Sequence, residues 1–179
     1  MRKCFGADIA YQSGYDGRGI GVVVIDSGIT NQPDLKDTVT GSPRIVYQLN
    51  FVPNTNSAAD QYGHGTHVAG IIAGNATQST GPGYSKMFRG IAPKVNLINL
   101  RVLDAYGKGT DSLVIQAIDK AIALKNQYNI RVINLSLGRP VQESYKTDPL
   151  CQAVEKAWKA GIAVVVAAGN EGAQQLRRY

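Results

Sequence analysis

Gly21-Val22-Val23-Val24-Ile25-Asp26-Ser27-Gly28 is the stretch that decides the fold. Four consecutive β-branched residues predict a strand buried on both faces, as in parallel sheets. The run stops at Asp26-Ser27-Gly28, residue types that favour turns. Three more apolar runs read the same way, at residues 95–103, 132–135 and 162–168. Helical periodicity fills the gaps. Residues 64–73 place Val68, Ile71 and Ile72 on one face. Residues 110–125 carry a stripe of Leu113, Val114, Ala117, Ile118, Ala121 and Ile122, with Thr110 or Asp111 as N-cap. A third helix opens at Asp148-Pro149 and closes at Ala160-Gly161. The alternation predicts right-handed βαβ crossovers and an α/β fold: a parallel sheet flanked by helices on both faces. Residues 75–90 and 139–148 read as surface loops.

Composition narrows the class. With 44% hydrophobic and 18% charged residues, the chain is neither disordered, collagenous nor coiled coil. Its 179 residues fit a single domain, 1–179. The net charge of +6 comes from scattered Lys and Arg without interleaved aromatics, so it reads as a solvated surface and not a nucleic-acid interface. No run of eighteen apolar residues predicts a membrane span, and residues 1–14 hold no signal-peptide core. Cys4 and Cys151 are too few for a disulfide scaffold. Their pairing stays open, with two small semi-buried thiols as the plainer expectation.

In open α/β sheets, sites form beyond the carboxyl ends of the strands. Asp26 stands after the first strand and Asn170 after the last. Between them, Tyr62-Gly-His-Gly-Thr-His-Val-Ala-Gly70 opens a helix and holds both histidines. A buried carboxylate can fix the tautomer of an imidazole, and Asp26 can equally be a turn cap. His64, at a helix N-terminus between two glycines, suits a general base. Asn170 can donate its amide to an oxyanion or simply tolerate a left-handed loop. A metal held by His64 and His67 competes, with only Asp26 and Asp60 as obvious further ligands.

Asp-Ser-Gly after a valine-rich strand, His-Gly-Thr-His-Val-Ala-Gly, Val-Ile-Asn-Leu-Ser-Leu-Gly and Val-Val-Ala-Ala-Gly-Asn occur in that order. Together they resemble the subtilisin-like serine peptidases (subtilases), over about the first two-thirds of that family's catalytic domain. The resemblance implies that Asp26 is the triad aspartate, His64 the base and Asn170 the oxyanion-hole asparagine. It implies that Ser136, Leu137 and Gly138 form one wall of the substrate pocket and Ala167, Ala168 and Gly169 the other. Tyr106-Gly107-Lys108-Gly109 resembles the family's edge segment, which pairs with the substrate backbone. His67 then packs behind the catalytic histidine. Polypeptides are the expected substrates, and secretion is expected from the family. No cofactor is expected. Calcium is common in the family, but residues 75–90 hold no carboxylate to ligate it.

One family motif is missing. None of the nine serines lies in a Gly-Thr-Ser-Met-Ala-like string. The nearest match, Gly109-Thr110-Asp111-Ser112, falls in the edge segment, before Asn170. After Asn170-Glu171-Gly172 the tail departs from the family pattern. The expectation is a truncated domain, inactive alone, and prone to self-association or dependent on a complementing C-terminal fragment. The alternative is a non-catalytic peptide-binding module that uses the same cleft.

Overall fold

The computed structural model describes residues 6–141 and 143–170. Its helices are α1 (Ala7–Gln12), α2 (His64–Ala73), α3 (Asp111–Leu124) and α4 (Pro149–Lys159). Its strands are β1 (Gly21–Asp26), β2 (Ile45–Asn50), β3 (Asn96–Arg101), β4 (Ile130–Leu135) and β5 (Ala163–Val166). All strand pairs are parallel and the sheet order is β2-β3-β1-β4-β5. β1 is central and every one of its residues is buried. Among the described residues, no helix is long and apolar enough to cross a membrane.

Alternation along β1 sorts the core into two layers. Val23 and Ile25 face α3 and α4, packing with Ile98, Leu100, Ala117, Ile118 and Ala157. Val22 and Val24 face the other way, against Val68, Ala69 and Ala73 of α2. The helices therefore cover both faces of the sheet.

The connections depart from expectation. Steps β2 to β3, β3 to β4 and β4 to β5 all move in one direction across the sheet. Yet α2 lies on the face opposite α3 and α4. The β2–α2–β3 crossover thus has the opposite hand to the other two, so the three are not all right-handed. The small side of α2, Gly65, Ala69 and Ala73, is buried and seats against the far face of β1.

The helix ends follow local chemistry. Asp148 caps α4 by accepting from the Leu150 and Cys151 N–H groups. Gly161, at φ 76°, closes it, with Gly161 N–H bonded to Trp158 O and Ile162 N–H to Ala157 O. Thr110 occupies the α3 N-cap position, but its hydroxyl meets Ser112 Oγ and does not cap the helix.

Other expectations are corrected. Ile71 is 44% exposed, because the buried face of α2 runs through Gly65, Val68, Ala69 and Ala73. β5 is not buried on both faces: Ala163, Val165 and Val166 are exposed, and among the described residues β5 pairs only with β4, at the edge of the sheet. Cys151 is exposed on α4. Its pairing with Cys4, and the tail beyond Asn170, lie outside the described residues.

Candidate active site

The carboxyl ends of β1, β3, β4 and β5 gather at one side of the sheet, beside the first turn of α2. β1 is also where the strand order turns, with β2 and β3 on one side and β4 and β5 on the other. That is the crevice in which open α/β sheets hold ligands.

Asp26 ends β1 at 1% exposure. His64 is the first residue of α2, which runs back along the sheet, and its side chain is 41% exposed. Two glycines allow the approach. A Cβ on Gly65 would overlap Gly28 O and crowd Asp26 Cβ, and a Cβ on Gly28 would stand 2.5 Å from Ala58 O. With nothing in the way, His64 Nδ1 lies 2.9 Å from both Asp26 oxygens. A carboxylate only accepts, so Nδ1 carries the proton. In the neutral ring this leaves Nε2, on the side of the imidazole away from Asp26, with a lone pair.

That side opens on a cavity of about 390 Å³ lined by His64, Tyr62, Gly107, Gly109, Ser136, Leu137, Gly138 and Asn170, with Leu103, Thr110, Asp111, Val114, Arg139 and Leu150. Sequence reasoning named His64, Gly107, Gly109, Ser136, Leu137, Gly138 and Asn170 for such a cleft, and they share one lining. Lys108, Ala167, Ala168 and Gly169 do not line it. Lys108 closes the turn with Asp104, donating its N–H to Asp104 Oδ1, and Ala167–Gly169 are exposed after β5. Tyr62, two residues before His64, joins this lining. Its ring lies 2.8 Å from where a Cβ on Gly107 would stand, so ring and edge segment are in close register.

Arg139 joins the floor of the cavity to two helices. It forms an ion pair with Asp148 through Nη2, and its Nε lies against Asp111 without hydrogen-bond geometry. Burial works against the Arg139 charge, but Asp148 and Asp111 outweigh it and raise its pKa. Burial also opposes ionisation of Asp148, yet the Cys151 N–H and Arg139 hold it below 3.8, the ordinary value.

The site is braced from behind by residues that sequence reasoning missed. Arg101, 1% exposed at the end of β3, donates to Leu103 O, Ser57 O, Ala59 O and Gln61 Oε1. Asn99 Nδ2 donates to Ala58 O. An arginine and an asparagine inside an apolar strand are the signal that could have revealed this brace.

His67 does not pack behind His64. It is exposed on α2, beside a groove with Ile71, Met87 and Phe88. Among the described residues, no group of three or more His, Cys, Asp or Glu side chains is arranged to hold a metal. Asn75 Oδ1 accepts from Thr77 N–H and Oγ1, and Ser79 Oγ from Phe88 N–H. Among the described residues, no serine hydroxyl hydrogen-bonds His64. Ser136 lines the cavity but its Oγ accepts from Asn134 Nδ2.

Comparison with known proteins places the chain among relatives of one family. The model of the Subtilase family matches residues 17–179. Serine protease AprX of Bacillus subtilis (strain 168) is 38% identical over 165 residues, covering 87% of this chain and 34% of that protein. Thermitase of Thermoactinomyces vulgaris is 39% identical over 158 residues, 88% of this chain and 50% of its own length. Subtilisin DY of Bacillus licheniformis is 38% identical over 167 residues, covering 93% and 53%. A solved structure of a cold-adapted subtilisin-like serine proteinase superposes with a TM-score of 0.64 at 34% identity, covering 87% of this chain and 48% of that one. The chain thus spans between a third and just over half the length of these relatives.

Proposed function

The chain belongs to the subtilase family, and from that premise we propose that it is the acid–base and substrate-binding portion of a subtilisin-type serine endopeptidase. The observation that carries the reading is the Asp26–His64 pair opening onto a cavity shared with Gly107, Gly109, Ser136–Gly138 and Asn170. Mere binding of a peptide calls for the walls but not for a buried carboxylate holding an imidazole tautomer.

The chemistry follows from the geometry. Asp26 holds the Nδ1 proton, so Nε2 is the basic atom. Nε2 takes the proton of an attacking hydroxyl and returns it to the leaving amine. The Asn170 amide donates to the oxyanion of the tetrahedral intermediate; in subtilisin itself, loss of the corresponding donor costs about 10²–10³ in turnover. The Gly107 and Gly109 backbone pairs with an extended substrate, and Ser136–Gly138 with Leu150 form the pocket for one side chain. No cofactor is assigned to this chemistry. Secretion, as expected for the family, is part of the proposal.

The nucleophile is not assigned to any of the nine serines. A base and its carboxylate without a nucleophile form no acyl-enzyme. The 179-residue chain is therefore expected to resist a fluorophosphonate probe, and stoichiometric labelling would overturn that expectation. The second reading, a non-catalytic peptide-binding module, draws support from the same missing string. The encoding DNA downstream of Tyr179 separates the two: a Gly-Thr-Ser-like string supports the peptidase, and its absence the binding module.

A further inference from the structure

We propose that Asp60 is a positioning residue for the Asp26–His64 pair, acting through Ser27 and the first turn of α2. This inference rests on the reading of that pair as base and orienting carboxylate.

The N-cap of α2 is Gly63, which has no side chain to cap the helix. Its work is done from three residues upstream. Asp60 Oδ1 accepts from Gly63 N–H at 2.7 Å, Tyr62 N–H at 3.1 Å and Ser27 Oγ at 2.8 Å. Asp60 Oδ2 accepts from Thr66 N–H at 2.8 Å. Ser27 Oγ accepts from Gly65 N–H at 3.0 Å, and Ser27 N–H donates to Asp26 Oδ1 at 2.7 Å. The residues on either side of His64, Gly63 and Gly65, are thus held by one network, and the same network grips the carboxylate that the imidazole must meet.

Asp60 is itself fixed. Thr30 Oγ1 donates to its carbonyl, and Arg101 and Asn99 hold the carbonyls of Ser57, Ala58 and Ala59 just before it. Burial disfavours its charge, but Thr66, Gly63 and Ser27 outweigh burial and keep it below 3.8. The charge also complements the positive end of α2. Imidazole placement therefore extends beyond a contact between two residues: β1, β3 and α2 converge on it through Asp60.

A plain helix cap would alter stability and leave the His64 ring alone. The test therefore reads the ring. The chain has two histidines, so ¹⁵N-histidine labelling gives two spin systems, with exposed His67 as internal reference. In the 179-residue chain at a pH where both rings are neutral, the Nδ1–H tautomer of His64 is expected to exceed the other by at least about tenfold, the scale of one charge-assisted hydrogen bond. Asp60→Ala is expected to bring that ratio to within about threefold, and Asp60→Asn, which keeps one acceptor oxygen, to restore part of it. Ile118→Val, a core change on the other face of the sheet, is expected to lower Tm and leave the ratio unchanged. If Asp60→Ala does not fold, Ser27→Ala decides by the same readout. An unchanged ratio in the Asp60 (or Ser27) variant, while Asp26→Asn collapses it, overturns the positioning role alone. Collapse in Ile118→Val also overturns it, since loosening anywhere would then suffice. An unchanged ratio in Asp26→Asn overturns the pair itself.

Discussion

His64 Nδ1 and the Asp26 carboxylate meet at 2.9 Å across 38 positions of sequence, and Gly65 is the residue that lets them. A Cβ there would occupy the space of Gly28 O and push the first turn of α2 off β1. Gly65→Ala is expected to destabilise the chain by about 1–3 kcal/mol, the cost of overpacking. Urea denaturation measures the loss, and the ¹⁵N spectrum of His64 is expected to change with it. An unchanged midpoint and spectrum would contradict the close packing.

Arg101 is the second structural prediction. Its guanidinium serves four oxygen acceptors from inside the protein. Arg101→Met leaves the Ser57 and Ala59 carbonyls without that donor and is expected to cost about 2–4 kcal/mol. Hydrogen exchange should show opening of the 57–61 segment before the rest of the sheet. Uniform loosening would point to a general packing role instead.

Much of this fold was legible because its strands are apolar for a simple reason. β1, β3 and β4 lie inside the sheet: β1 is covered on both sides and shows a continuous apolar run, and β3 and β4 keep enough apolar residues around Asn99 and Asn134 to read as strands. β2 was not read: Ile45-Val-Tyr-Gln-Leu-Asn50 is an edge strand whose residues alternate between exposed and half-buried at its start. α1 has six residues and one buried side chain, too little for a periodic signal. With β2 unread, the hand of the β2–α2–β3 crossover was not legible either, because periodicity shows which residues of a helix are apolar, not which face of the sheet they cover. Within the site, Asp26, His64, Gly107, Gly109, Ser136–Gly138 and Asn170 were legible as strings. Arg101 and Asn99 act through contacts more than forty positions apart, which no short string records, and Asp60, read only as a possible metal ligand, reaches Ser27 across 33 positions.

Acid stability follows from the depressed carboxyls. Asp60 and Asp148 titrate below 3.8 in the folded chain. A group with a depressed folded pKa contributes stability that is present above its unfolded value and lost as pH falls through the folded one. Stability is therefore expected to decline as pH drops below about 4. A paired Asp60→Asn, Asp148→Asn variant should start lower in Tm at neutral pH and show a flatter acid limb. A limb as steep as the parent's would contradict this assignment.

The exposed edge predicts self-association. Val165 and Val166 are 54% and 59% exposed on β5, an unpaired edge among the described residues. Such edges template pairing with other chains, and charge blocks them. Val165→Lys is expected to lower the aggregated fraction in light scattering without lowering Tm. Equal aggregation would place the sticky surface elsewhere.

The central claim is that the cavity beside His64 is a peptide-binding cleft, and Gly138 offers the cleanest access to it. A Cβ on Gly138 meets nothing within 4 Å, so a larger side chain projects into space without disturbing the fold. The decisive measurement is an NMR titration of the ¹⁵N-labelled 179-residue chain with an extended oligopeptide, repeated on Gly138→Leu. The account predicts saturable shifts at Gly107, Gly109, Leu137 and Gly138, and at least about tenfold weaker binding to Gly138→Leu at unchanged Tm. Shifts confined to other surfaces, or binding that Gly138→Leu leaves intact, would contradict it.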